Sequence, residues 1–145
     1  RTYMEDKLLY KDLTYKIRGI LFETHNELGR MLNEKQYADY LEEKFKYHGL
    51  AYRREELVFG NTSMERKRRC RTDFIVENKI IVELKAVSLL TKDDYFQCQR
   101  YLATAGLELA LLVNFRTKYL TVKRILNHEL YNQKLANYSR PQSHP

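Results

Sequence analysis

Apolar residues fall into two kinds of pattern along this chain, and their alternation predicts a mixed α/β domain. Leu13, Ile17, Ile20, Leu21, Thr24 and Leu28 recur at helical spacing, which predicts one amphipathic helix. Asp12 is placed to cap its start and Gly29 to stop it. A second helix is expected from about Asn33 to Tyr47. Its inward stripe is Ala38, Leu41 and Phe45, Asn33 and Gln36 have the spacing of a capping box, and Gly49 is a stop after His48. Residues 51–59, AYRREELVF, read as a strand ending at the turn signal Gly60-Asn61. Two short apolar runs, Phe74-Ile75-Val76 and Ile80-Ile81-Val82, flank Glu77-Asn78-Lys79 and predict a β-hairpin. Thr91 with Asp94 starts a third helix, carrying Tyr95, Cys98, Leu102 and Ala105 and ending near Gly106. Residues 109–113 are uninterruptedly apolar, as in a strand buried on both faces, and residues 119–125 alternate as a more exposed strand. From Asn127 the chain is polar, without periodicity, and contains Pro141 and Pro145. The expected order is two helices, three strands, a helix and two strands. Residues 1–126 form one domain in this reading, and residues 127–145 a loose polar tail.

The hairpin carries the candidate chemistry. Side chains alternate along a strand, so Glu83 and Lys85 share one face and Leu84 takes the other. If the loop is the three residues 77–79, Val76 pairs with Ile80 and Asp73 falls opposite Glu83. A two-residue loop would slip the register by one and send Asp73 to the other face. In the first register two carboxylates and a lysine converge. Two carboxylates that close repel one another's ionised forms. A divalent cation resolves that conflict, and hard oxygen donors suit Mg2+ or Mn2+. The alternative is an exposed ion-pair ladder on a half-buried hairpin. Glu34 lies in line with the stripe of the second helix. It is either a carboxylate facing the interior that needs a cation, or a first-turn acid that favours the helix dipole and stays wet. Gln97 and Tyr101, four residues apart on the third helix, can meet. Residues 66–71, RKRRCR, place Arg66, Lys67, Arg68, Arg69 and Arg71 just before Asp73, as a solvated charged face or a phosphate-binding edge.

Composition narrows the classes. The 145 residues suffice for one domain with a core, and 43% hydrophobic content excludes a disordered chain. No apolar run is long enough to span a bilayer, and none has the form of a signal peptide. A formal net charge of +7 is compatible with a polyanionic partner. Cys70 and Cys98, without paired ligand spacing, fit a reducing, cytoplasmic compartment better than zinc, an iron–sulfur cluster or a disulfide scaffold.

Several segments together carry a resemblance to the GxxExxY protein family, a branch of the PD-(D/E)xK nuclease superfamily. They are His25-Asn26-Glu27-Leu28-Gly29, Glu34 with Tyr37, the RTDF of residues 71–74, the KIIVELKAV of residues 79–87, Gln97 with Tyr101-Leu102, and the LLVNF of residues 111–115. Where that family usually has a second glycine before its ExxY, this chain has Met31. The resemblance implies a restriction-endonuclease-like three-layer core, with helices on both faces of a mixed sheet. It implies that Asp73, Glu83 and the Leu84 carbonyl hold Mg2+ or Mn2+, that Glu34 completes the site, and that Lys85 serves the attacking water. Gln97-x-x-x-Tyr101 resembles the motif with which RecB-type and lambda-exonuclease-like members position a nucleic-acid strand. The implied activity is metal-dependent hydrolysis of phosphodiesters, in DNA in preference to RNA, with weak sequence readout. The alternative is a non-catalytic nucleic-acid-binding or accessory module on the same fold. No membrane partner is expected, and a homo-oligomer or larger complex is compatible.

Overall fold

The computed structural model describes residues 9–59 and 69–138. Helices α1 (Lys11–Leu28) and α2 (Glu34–Tyr47) come first, followed by strands β1 (Tyr52–Phe59), β2 (Arg69–Val76) and β3 (Ile80–Lys85). Helix α3 (Lys92–Ala105) then leads to β4 (Leu109–Asn114), β5 (Thr121–Leu126) and helix α4 (His128–Tyr138). The strands form one sheet in the order β1-β2-β3-β4-β5. All neighbours are antiparallel except β3 and β4, whose parallel pairing requires the crossover that α3 supplies.

Alternation along the strands sorts the core onto two faces. Phe74, Val76, Ile80, Val82, Leu84, Leu109, Leu111 and Val113 pack with Ile17, Leu21, Tyr37, Leu41 and Phe45 of α1 and α2. Ile75, Ile81, Ala110, Leu112 and Ile125 pack with Cys98, Tyr101 and Leu102 of α3. The result is three layers, as expected. β3 and β4 are the central strands, and β4 is buried along its whole length.

Local signals account for most of the boundaries. Asn33 and Gln36 form a reciprocal capping box at the start of α2, and Thr91 and Asp94 do the same for α3. Gly29, Gly49 and Gly106 take positive φ where the helices end. At the first helix the expectation was wrong. Tyr10, in a left-handed conformation, occupies the N-cap position, and Asp12 sits inside the first turn. The polar segment after Asn127 also differs from the loose tail expected, because it forms α4. Asn127 caps it through Oδ1, which accepts from Leu130 N at 3.3 Å, and an ion pair joins Lys134 to Glu108. The helix has no buried residue, so no apolar period announced it.

Candidate active site

β2 and β3 are paired through Val76 with Ile80, Ile75 with Ile81 and Phe74 with Val82, and beyond that point they part. This is the register of the three-residue turn, with Glu77 and Asn78 both left-handed and Lys79 N donating to Val76 O at 3.0 Å. Asp73 and Glu83 therefore lie opposite one another, on the face that α3 covers. Where the ladder ends, their side chains take over its donors. Asp73 Oδ2 accepts from Leu84 N at 2.8 Å, and Glu83 Oε1 accepts from Asp73 N at 2.8 Å. Each carboxylate is clamped by the backbone of the other's strand, and each keeps a second oxygen for another partner.

A further acid approaches from the other side. In the β1–β2 register Arg54 pairs with Phe74 and Glu56 with Thr72, which leaves Glu55 opposite Asp73 with no pairing of its own. Glu55 has φ 51, a left-handed backbone that costs a non-glycine residue about 1–2 kcal/mol. Sequence reasoning missed this residue, since strand periodicity gives no sign of a single reversed φ.

The electrostatics follow from burial. Glu83 is only 4% exposed. Desolvation, and then the charge of Asp73, push its carboxyl up to about 8, although Asp73 N–H and Lys85 pull the other way. Asp73 is also raised, chiefly by burial, with Glu34 and Glu55 adding to the effect and the Leu84 N–H opposing it. Glu34 itself is exposed, at the start of α2, so the wet reading of that residue holds. It lines an open groove of about 400 Å³ with Asn33, Lys35, Ala86 and Arg116. Its charge reaches both Asp73 and Glu83.

Lys85 is turned toward α3. Its Nζ donates to Gln97 Oε1 at 3.1 Å and lies 3.7 Å from Asp94 Oδ1. Gln97 thus holds the lysine. Tyr101, 9% exposed, packs in the apolar cluster between α3 and the sheet. Burial raises the Cys98 thiol in the same cluster to about 12, which keeps it protonated and inert. In the basic run, Arg66, Lys67 and Arg68 lie outside the described residues. Arg69 lies in β2, and Arg71, two residues before Asp73, is exposed.

The site's floor is fixed by a residue the sequence reading passed over. Asn114, buried at the end of β4, accepts from Val87 N at 3.1 Å and Arg116 N at 3.2 Å, and donates to Val87 O at 2.8 Å. Its amide therefore holds the chain just after Lys85. The visible signal was a polar residue closing an apolar run. Arg116 donates to the carbonyls of Arg30 and Leu32, both at 2.8 Å, and so ties down the loop before α2. Tyr37 completes that tie, with its OH donating to Gly29 O at 2.6 Å and its ring stacked on Phe115.

This donor set fits a divalent cation. Buried Glu83 and half-buried Asp73, both holding a proton more tightly than usual, face one another, and Lys85 is held by Gln97 and Asp94. Oxygen donors of this kind suit Mg2+ or Mn2+. Among the described residues no three acidic, histidine or cysteine side chains converge closely enough to hold an ion unaided, so Glu34 stands apart from the central pair. Among the described residues no helix is long and apolar enough to cross a membrane.

The chain is similar to known proteins in family and in fold. Residues 11–125 match the family model described as the PD-(D/E)XK nuclease superfamily. An alkaline exonuclease from Laribacter hongkongensis is 12% identical and aligns over 67% of this chain and 57% of its own, at a TM-score of 0.48. The protein SSO0001 is 19% identical and aligns over 71% of this chain and 55% of its own, at a TM-score of 0.51, a likeness of fold. The chain thus spans a little over half the length of each. No curated protein matches the sequence significantly.

Proposed function

The chain belongs to the PD-(D/E)XK nuclease superfamily, and from that premise we propose that it is a metal-dependent nuclease that hydrolyses phosphodiester bonds, in DNA, with little sequence readout. The observation that carries this reading is the cross-clamped pair, half-buried Asp73 and buried Glu83, opposite one another beside Lys85. Asp73, Glu83 and the Leu84 carbonyl are the donors for Mg2+ or Mn2+, with Glu34 acting through its charge. When bound, such an ion acidifies water and stabilises charge on a phosphoryl oxygen.

The remaining roles belong to the chain. Cross-strand clamping holds both carboxylates in place before substrate arrives, so little reorganisation is needed. The Gln97 side chain aims Lys85 Nζ, leaving its other protons to orient a water and to meet the negative charge that grows on the phosphoryl group. In the balanced reaction, water oxygen bonds to phosphorus, the bond to one sugar oxygen breaks, and that oxygen leaves with a proton. Tyr101, in the apolar cluster between α3 and the sheet, fixes the helix from which that side chain projects. Arg71 and its basic neighbours contact phosphates without reading bases.

The test is incubation with single- and double-stranded DNA and RNA in Mg2+ or Mn2+. Asp73→Asn keeps an acceptor for Leu84 N but removes a charge, and Lys85→Ala removes the amine. Each is expected to lower cleavage at least about 100-fold. Intact substrates with wild-type protein under every metal, or variants that cut as well as wild type, would overturn the proposal. Salt-dependent binding without turnover would instead favour the accessory-module reading.

A further inference from the structure

A second groove adjoins the first through Arg116. It has a volume of about 380 Å³ and is lined by Arg30, Met31, Ser88, Arg116, Thr117 and Lys118. No acidic residue lines it. Among the described residues, Arg30, Arg116 and Lys118 take part in no ion pair with a carboxylate. Arg116 contacts backbone carbonyls, so its charge is positioned and not neutralised. Lys35 of the neighbouring groove is different, being paired with Asp39. The two grooves share one wall. Ala86, next to Lys85, and Glu34 line the first groove, Arg116 lines both, and Arg30, Ser88 and Lys118 line the second.

Exposed apolar groups flank these cations. Met31 is 74% and Tyr119 is 79% exposed, and Lys118 Nζ lies 5.6 Å from the centre of the Tyr119 ring. The segment that carries them is fixed from two sides: His25 Nε2 lies 3.0 Å from Thr117 O, and Arg116 anchors to the loop before α2. Cations that track a backbone, beside an aromatic face that can stack a base, suit an unpaired strand better than a duplex, whose bases are already stacked.

We propose that the groove formed by Arg30, Arg116 and Lys118 binds the phosphates of a single-stranded polynucleotide flanking the scissile bond, with Tyr119 stacking an unpaired base. This rests on the nuclease reading for the position of the scissile bond, but the binding can be measured without cleavage. In EDTA, fluorescence anisotropy would follow a labelled single strand of about 15 nucleotides and its blunt duplex across about 50–200 mM salt. Arg30→Glu/Lys118→Glu is expected to weaken single-strand binding at least about tenfold and to lower the salt slope by about two. Tyr119→Ala is expected to weaken the single strand by about fivefold or more and leave the duplex nearly unchanged. Lys11→Glu/Lys123→Glu, which reverses two exposed charges elsewhere, is the control for general charge. Circular dichroism confirms that each variant folds. Equal loss in the two charge-reversed proteins, or a silent Tyr119→Ala, would overturn the proposal. Cleavage in Mg2+ is scored separately. A wild type that binds through the groove yet cuts nothing overturns the nuclease reading and leaves the groove standing. A wild type that cuts while the groove variant binds and cuts equally well overturns the groove alone.

Discussion

A carboxyl group as buried as that of Glu83 holds its proton more tightly in the folded chain than in the unfolded one. Its affinity rises from an ordinary 4.5 to about 8, so without metal the folded state binds more protons between those values. Stability should then fall as pH rises from about 4.5 to about 8 and level off above that range. Glu83→Gln keeps an acceptor for Asp73 N and removes the titration. In EDTA, urea denaturation should find the variant close to wild type at pH 5 and more stable than wild type at pH 8. A wild type whose stability relative to the variant is unchanged between those pH values would contradict this. The sequence showed Asp73, Glu83 and Lys85 because strand alternation and one turn length fix which side chains meet. It left Glu34 undecided, because a helical stripe shows alignment but not where the interior ends. Glu55 was not legible at all, and of Asn114 only the break in an apolar run was, not its role. One depends on a reversed φ, and the other on hydrogen bonds to a segment 27 residues away.

Among the elements, those read correctly are the ones with an apolar period and a chemical stop. α2 and α3 show both, with capping boxes at one end and glycines in left-handed conformation beyond the other. α4 has neither a buried face nor a glycine stop, and its start is fixed by the residue before it. Asn127 donates Nδ2 to Leu107 O at 2.9 Å and its backbone N to Glu108 O at 2.9 Å, in addition to capping the helix. Removing that side chain should release α4 while the sheet persists. Asn127→Ala is expected to cost about 1–2 kcal/mol, seen as lost amide-exchange protection within residues 128–138. Unchanged protection there, or equal loss throughout β4, would show that the cap is not what holds the helix.

On the scale of the whole molecule, function follows from where an ordered sheet stops being regular. The central strands are apolar on both faces until β2 and β3 part, and at that end the two faces supply different parts. The α3 side brings Gln97 and Asp94 to Lys85, while the α1 and α2 side brings Glu34, Arg116 and the loop that Tyr37 closes. A chain with a formal net charge of +7 thus sets two carboxylates opposite one another at one end of its sheet. In the proposed nuclease that net charge would draw in a polyanion, and the two carboxylates would take the cation. The most direct test of this account is titration of Mn2+ into wild type, Asp73→Asn and Glu83→Gln, with free ion followed by electron paramagnetic resonance. The account predicts a saturable site in wild type that each substitution weakens at least about tenfold. Equal binding by all three proteins, or no binding by wild type, would contradict it.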